Sequence, residues 1–246
     1  SHLILGGLEP FYGSYKRVSG YFTAENRNFN DMTLFSSTYI NNRLFETSMA
    51  EIEILITSEA NKIEISNAIY ERLYERYIKI FFYKSNNFAE YFKTDNKIVK
   101  AKKNSIFNAE YKSGFSMMTN CSLLIETINA FLEGNNQTSY GDETFNRFFI
   151  KAKFYNNPLS VFENQKFYKN IRCGLLHQGE TYGGFKIQRE GKLYNKSKKI
   201  INAKIFCDEM NNFLLSYKKE LLSSDWDSEI WDNCRTKIRY IIKNSK

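Results

Sequence analysis

Histidine is nearly missing from this chain: His2 and His177 are the two in 246 residues. His2 stands at the second position and carries no inference, so any histidine chemistry falls to His177. A mononuclear metal site with histidine ligands usually needs two or more, and no metal or other cofactor is expected. Cysteine is scarce too. Cys121, Cys173, Cys207 and Cys234 are scattered, with no C-x-x-C spacing. They read as reduced, mostly buried thiols of a cytoplasmic protein, without a zinc framework. Only two prolines interrupt the chain, which leaves room for long helices. A run of about 18 apolar residues is lacking, so no membrane span is expected. Leu3–Leu5 is too short for the apolar stretch of a secretory leader. The sequence has no G-x-x-x-x-G-K-[ST], no G-x-G-x-x-G and no G-x-S-x-G. The phosphate-cradling loops and the hydrolase elbow are thereby unsupported.

What the chain does hold is aromatic and basic. Phe and Tyr number 21 and 17, spread along the length, which argues for a sizeable folded core and against disorder. The formal net charge is +8. A basic balance favours a polyanion partner, nucleic acid ahead of an acidic substrate.

The fold class expected is mainly α: a helical bundle with a small β-hairpin insertion and a poorly assigned N-terminal region. Residues 1–110 form that region, of unknown role. Tyr21–Thr23 and Met32–Ile40 suggest short strands, and alternating Ile52, Ile54 and Ile56 are weakly strand-like. A helix follows over about 58–83, where Ile63, Ile69, Leu73, Tyr77 and Ile80 recur at helical spacing. Lys93–Lys112 is a basic linker or RNA-facing loop. Residues 113–246 form the helical domain. Met117, Cys121, Leu124, Ile128 and Phe131 stripe a helix over Ser113–Glu133, and Gly134 suits its C-terminal cap. Further helices are expected at Glu143–Ile150, Glu163–His177 and Ile200–Leu222, with a last one through Trp226, Ile230, Ile238 and Ile241. A hairpin is expected in Gly183–Tyr194, around Glu190-Gly191.

His177 closes the segment Asn170-Ile171-Arg172-Cys173-Gly174-Leu175-Leu176-His177. With Ile171 at zero and about 100° per residue, Phe167, Gly174 and Leu175 lie within about 60° of it and form a core-facing side. Arg172 falls near about 100° and His177 near about 240°, with Lys169, Cys173 and Leu176 between them. This second face is partly apolar, as a helix buried on two sides would be. Its partner is either another helix of the same chain or a second copy of the protein.

This segment resembles the R-x4–6-H motif of the HEPN superfamily (higher eukaryotes and prokaryotes nucleotide-binding). The Ser113–Glu133 helix and the polar loop after it are also similar to HEPN-like proteins, so the resemblance spans about 113–222. It implies an α-helical bundle and a metal-independent endoribonuclease of phage defence or a toxin system, with an antitoxin or defence-system partner. RNA brings its own nucleophile, the 2′-hydroxyl. Under the resemblance, His177 is the general acid or base, and Arg172 holds the phosphate. Asn170 and Gln178 flank the motif as candidates for phosphate contact. Glu126 is the acidic group from a neighbouring helix. Leu176 and Cys173 would lie at a homodimer interface. Tyr168 and Tyr182 are candidates for base stacking, and Lys196, Lys198 and Lys199 for the RNA backbone. The alternative is a catalytically inactive HEPN-like module that binds RNA, a nucleotide or a partner protein.

Overall fold

The computed structural model describes residues 34–40, 43–82, 96–99, 113–137 and 141–245. The expected strand at Tyr21–Thr23 and most of the basic stretch Lys93–Lys112 lie outside them. Strands β1 (Leu34–Ile40) and β2 (Arg43–Ser48) pair antiparallel, with a bulge between Leu34 and Ser36. The carbonyls of Leu34 and Phe35 accept hydrogen bonds from Arg76 and Arg72 of the following long helix. That contact covers backbone groups a two-stranded ribbon would leave open.

Helix α1 (Met49–Leu55) replaces the strand-like reading of Ile52, Ile54 and Ile56. The reason is a capping box. The Ser48 hydroxyl accepts from the Glu51 N–H at 3.1 Å, and the Glu51 carboxylate accepts from the Ser48 N–H at 3.4 Å. With the helix nucleated there, Ile52 and Ile56 fall four apart on the buried side, while Ile54 is 69% exposed. Helix α2 (Lys62–Tyr77), extended by 3-10 turns at 59–61 and 79–82, occupies the span where helical spacing placed it.

Helix α3 (Gly114–Glu133) keeps the expected stripe. Met117, Cys121, Leu124, Ile128 and Phe131 are all buried, and Gly134 closes the helix at φ 65°. Helix α4 (Gly141–Phe154) is longer at both ends than the expected 143–150. Past it, the chain makes a 3-10 turn at 158–162. Helices α6 (Ala203–Ser223) and α7 (Glu229–Asn244) complete the bundle. The short helix between α4 and α6 belongs to the site. Helix α3 packs on α2, α6 and α7, and α2 packs on α6. The helix expected within residues 1–110 therefore shares one core with the 113–246 region.

The β insertion is present, but its pairing differs from the expected hairpin. Strand β3 (Lys186–Gln188) joins β5 (Ile200–Asn202) in parallel, and the antiparallel pair is β4 (Tyr194–Asn195) with β5. Asn202 ends β5 and caps α6, its side chain accepting from the Lys204 and Ile205 N–H groups.

One cluster fixes the site segment to this frame. The Phe167 ring contacts those of Phe145, Phe149, Phe162 and Phe206 at centroid distances of 5.3–5.7 Å. Such pairs contribute about 0.5–1.5 kcal/mol each beyond area burial. Phe167 is thus an anchor immediately before the candidate motif. Among the described residues, no helix is long and apolar enough to cross a membrane.

Candidate functional site

The helix expected over Glu163–His177 starts late and is not uniform. Asn164 and Lys166 stand in the left-handed region, at φ 59° and 51°, so residues 163–166 form a turn. From Tyr168 to Cys173 the backbone is a π-helix, followed by α5 (Gly174–Gln178). A π turn releases carbonyls that α-helical bonding would have used. The returning loop supplies a donor for one of them: the Tyr182 N–H donates to the Asn170 carbonyl at 2.8 Å. The Glu180 N–H donates to the Gly174 carbonyl at 3.4 Å and closes α5 beyond the left-handed Gly179. Gly174 permits this approach, because a Cβ there would lie 2.4 Å from the Glu180 carbonyl oxygen. No periodicity in the sequence announces the π turn. Gly174 in mid-helix was the available signal.

Phe167, Ile171, Gly174 and Leu175 are buried, as the helical projection required. On the other side, Arg172 donates from Nε to Glu126 Oε1 at 2.7 Å and from Nη2 to Oε2 at 3.4 Å. Each of these side chains is 20% exposed. Its guanidinium carbon stands 5.3 Å from the centre of the Tyr168 ring. Burial lowers the Arg172 pKa, but hydrogen bonds and charge from Glu126 outweigh it and hold the group above its ordinary value. Tyr168 is itself wedged. A Cβ on Gly141 would sit 2.1–2.4 Å from three of its ring atoms. A hydrogen bond with Cys173, then burial, raises the Tyr168 pKa above the usual phenol value.

The structure thus brings together Arg172, Glu126, Tyr168 and Cys173. His177 lies five residues beyond Arg172 and is exposed, with no side-chain hydrogen bond among the described residues. Leu176 beside it is 38% exposed, and Cys173 is half-buried. Gln178 is exposed, and Asn170 is half-buried, its amide at the edge of Gly183.

Of the polar side chains that share α3 with Glu126, Ser122 and Asn129 are not solvated. Both are buried, and they bond to the carbonyls of Met118 and Thr144. Glu133 pairs with Arg147, away from the motif. Among the basic candidates, Lys199 donates to the Gly183 carbonyl at 2.8 Å and so holds the loop; Lys196 and Lys198 are exposed. Tyr182 is 39% exposed, whereas Tyr168 lies under Arg172.

The arrangement offers a fixed cation, a free imidazole and no group of three or more His, Cys, Asp or Glu side chains poised for a metal among the described residues. Comparison of the chain with family models, with curated proteins and with solved structures finds no match.

Proposed function

We propose that this protein is a metal-independent endoribonuclease of HEPN type. The observation that carries the reading is the Glu126 clamp: it holds the Arg172 guanidinium through two nitrogens, five residues before an open His177. Arg172 Nη1 makes no hydrogen bond among the described residues, which leaves it available to phosphate oxygens. His177 would take the proton of the 2′-hydroxyl as that oxygen attacks the adjacent phosphorus. A protonated His177 would return a proton to the departing 5′-oxygen. The products are a 2′,3′-cyclic phosphate and a 5′-hydroxyl. Two copies meeting at the exposed Leu176 would set two such histidines at one groove and divide the two proton roles. The biological setting we infer is phage defence or a toxin system, with an antitoxin or defence partner.

A second reading has its own support. Glu126 already answers the charge of Arg172, which suits a catalytically silent module that binds RNA, a nucleotide or a partner. Incubation of the pure protein with bulk RNA in EDTA separates the two. Cleavage by the wild type and none by His177→Ala supports the enzyme. Binding without cleavage supports the module. Light scattering of the wild type and of Leu176→Arg tests the dimer.

A further inference from the structure

Beside the Arg172–His177 segment, the first half of α3 and the end of α5 enclose a cleft of about 270 Å³. Phe115, Ser116, Thr119, Asn120, Leu175 and Gly179 line it. The Phe115 ring is 39% exposed, an uncommon state for phenylalanine on a helix whose other large apolar side chains are mostly buried. Ser116, Thr119 and Asn120 make no side-chain hydrogen bond among the described residues. Further along the same helix, Ser122 and Thr127 do: each donates to the carbonyl four residues back, at 2.8 and 2.9 Å. The cleft therefore carries one open aromatic face and three polar side chains with donors and acceptors free. Gly179 leaves its far end open, since a Cβ there would meet nothing within 4 Å.

Thr119 and Glu126 are seven residues apart, two turns, and so lie on one face of α3. The cleft thus continues along α3 from the carboxylate that grips Arg172. Leu175 and Gly179 each stand two residues from His177. Pockets for drug-sized ligands run from about 300 to 1,000 Å³, so this cleft suits a single ring system rather than a whole large ligand. A flat ring with hydrogen-bonding edges matches both the aromatic face and the polar wall.

We propose that this cleft binds an unpaired nucleobase of RNA, next to the phosphate held at Arg172. Phe115 stacks on the base, and Ser116, Thr119 and Asn120 hydrogen-bond its edge. A base inside a duplex cannot present its face to Phe115, so the subsite selects single-stranded RNA. This rests on the ribonuclease or RNA-binding reading above.

The test is equilibrium binding of a fluorescently labelled single-stranded RNA in EDTA, read by anisotropy, with His177→Ala as the parent so that nothing is cleaved. Phe115→Ala in that background should weaken binding by about 5- to 150-fold, the loss of one base–aromatic stack. Phe115→Tyr should stay within about twofold of the parent, because the stacking face is kept. Asn120→Ala should weaken binding by about 2- to 10-fold, one hydrogen bond to the base edge. Binding of a fully paired duplex should not respond to Phe115→Ala. Thermal melts verify that each variant is folded. Equal single-strand affinity in the parent, Phe115→Ala and Asn120→Ala would overturn the subsite and leave the RNA reading standing. No RNA affinity in either the wild type or the parent would overturn both.

Discussion

Replacing Glu126 by alanine leaves the Arg172 guanidinium without its carboxylate in a place where only 20% of the side chain meets solvent. Two charge centres about 4 Å apart attract by about 4 kcal/mol at an effective dielectric of about 20. Residual exposure and the cost of desolvating both groups reduce the net worth of the pair to about 1–2 kcal/mol. Removing one partner costs more than that, because the other stays behind unpaired. Glu126→Ala and Arg172→Ala should therefore each destabilise by about 2–3 kcal/mol. The double variant should lose about 1–2 kcal/mol less than the sum of the singles. Arg172→Ala also removes the contact over Tyr168, worth about 0.5–1 kcal/mol, and should be the worse single change. Urea unfolding followed by circular dichroism on the four proteins measures the cycle. Effects that add within about 0.5 kcal/mol would refute the clamp and with it the orientation of Arg172.

Two further outcomes concern Gly141 and Asp208. Gly141→Ala drives a methyl group into the Tyr168 ring, which lies 2.1–2.4 Å from the added Cβ. The cost should be about 1–3 kcal/mol by overpacking, with a lowered urea midpoint, even though alanine is the better helix former. Asp208 on α6 has its pKa raised, first by burial and then by Glu209, against the opposing charge of Lys204. The native state thus holds that proton to higher pH than the unfolded chain, and stability falls as pH rises through the native value from the ordinary 3.8. Asp208→Asn removes that fall, so its melting temperature should exceed the wild type's at pH 7 and converge with it in acid; a variant no more stable at pH 7 would show that burial of this carboxylate is harmless.

Long helices were legible because their apolar stripes are long. The spacing through Met117, Cys121, Leu124 and Ile128 has one solution, and so has the Phe206–Leu221 series of α6. Helix α1 was not, because it is seven residues long and Ile52, Ile54 and Ile56 recur two apart, a strand spacing. Ser48 and Glu51 decide the matter locally, through a cap that the apolar pattern does not contain. Pairing of β3 with β5 was illegible for another reason. It is set by a connection through β4, whereas Glu190-Gly191 suggested a tight turn between neighbours. At the site, the buried side of the motif was readable from Ile171 and Leu175. The π turn was not, since it depends on the loop at 180–182 returning to Asn170 and Gly174. Glu126 was nameable only by analogy with HEPN proteins; its grip on Arg172 is a tertiary contact across 46 residues. Phe115 carries no signal in the sequence, because one apolar residue at the start of a helix reads as core until its exposure is seen.

The proposed cleavage uses the RNA's own 2′-hydroxyl as nucleophile and His177 as the proton carrier. It is tested most directly with one RNA oligonucleotide and its copy carrying a single 2′-deoxy residue at the mapped cut, both in EDTA. The wild type should cut the all-ribose strand to a 2′,3′-cyclic phosphate and leave the deoxy copy intact at that position, and His177→Ala should cut neither. Cutting of the deoxy copy at that position, or an all-ribose strand left whole by the wild type, would contradict it.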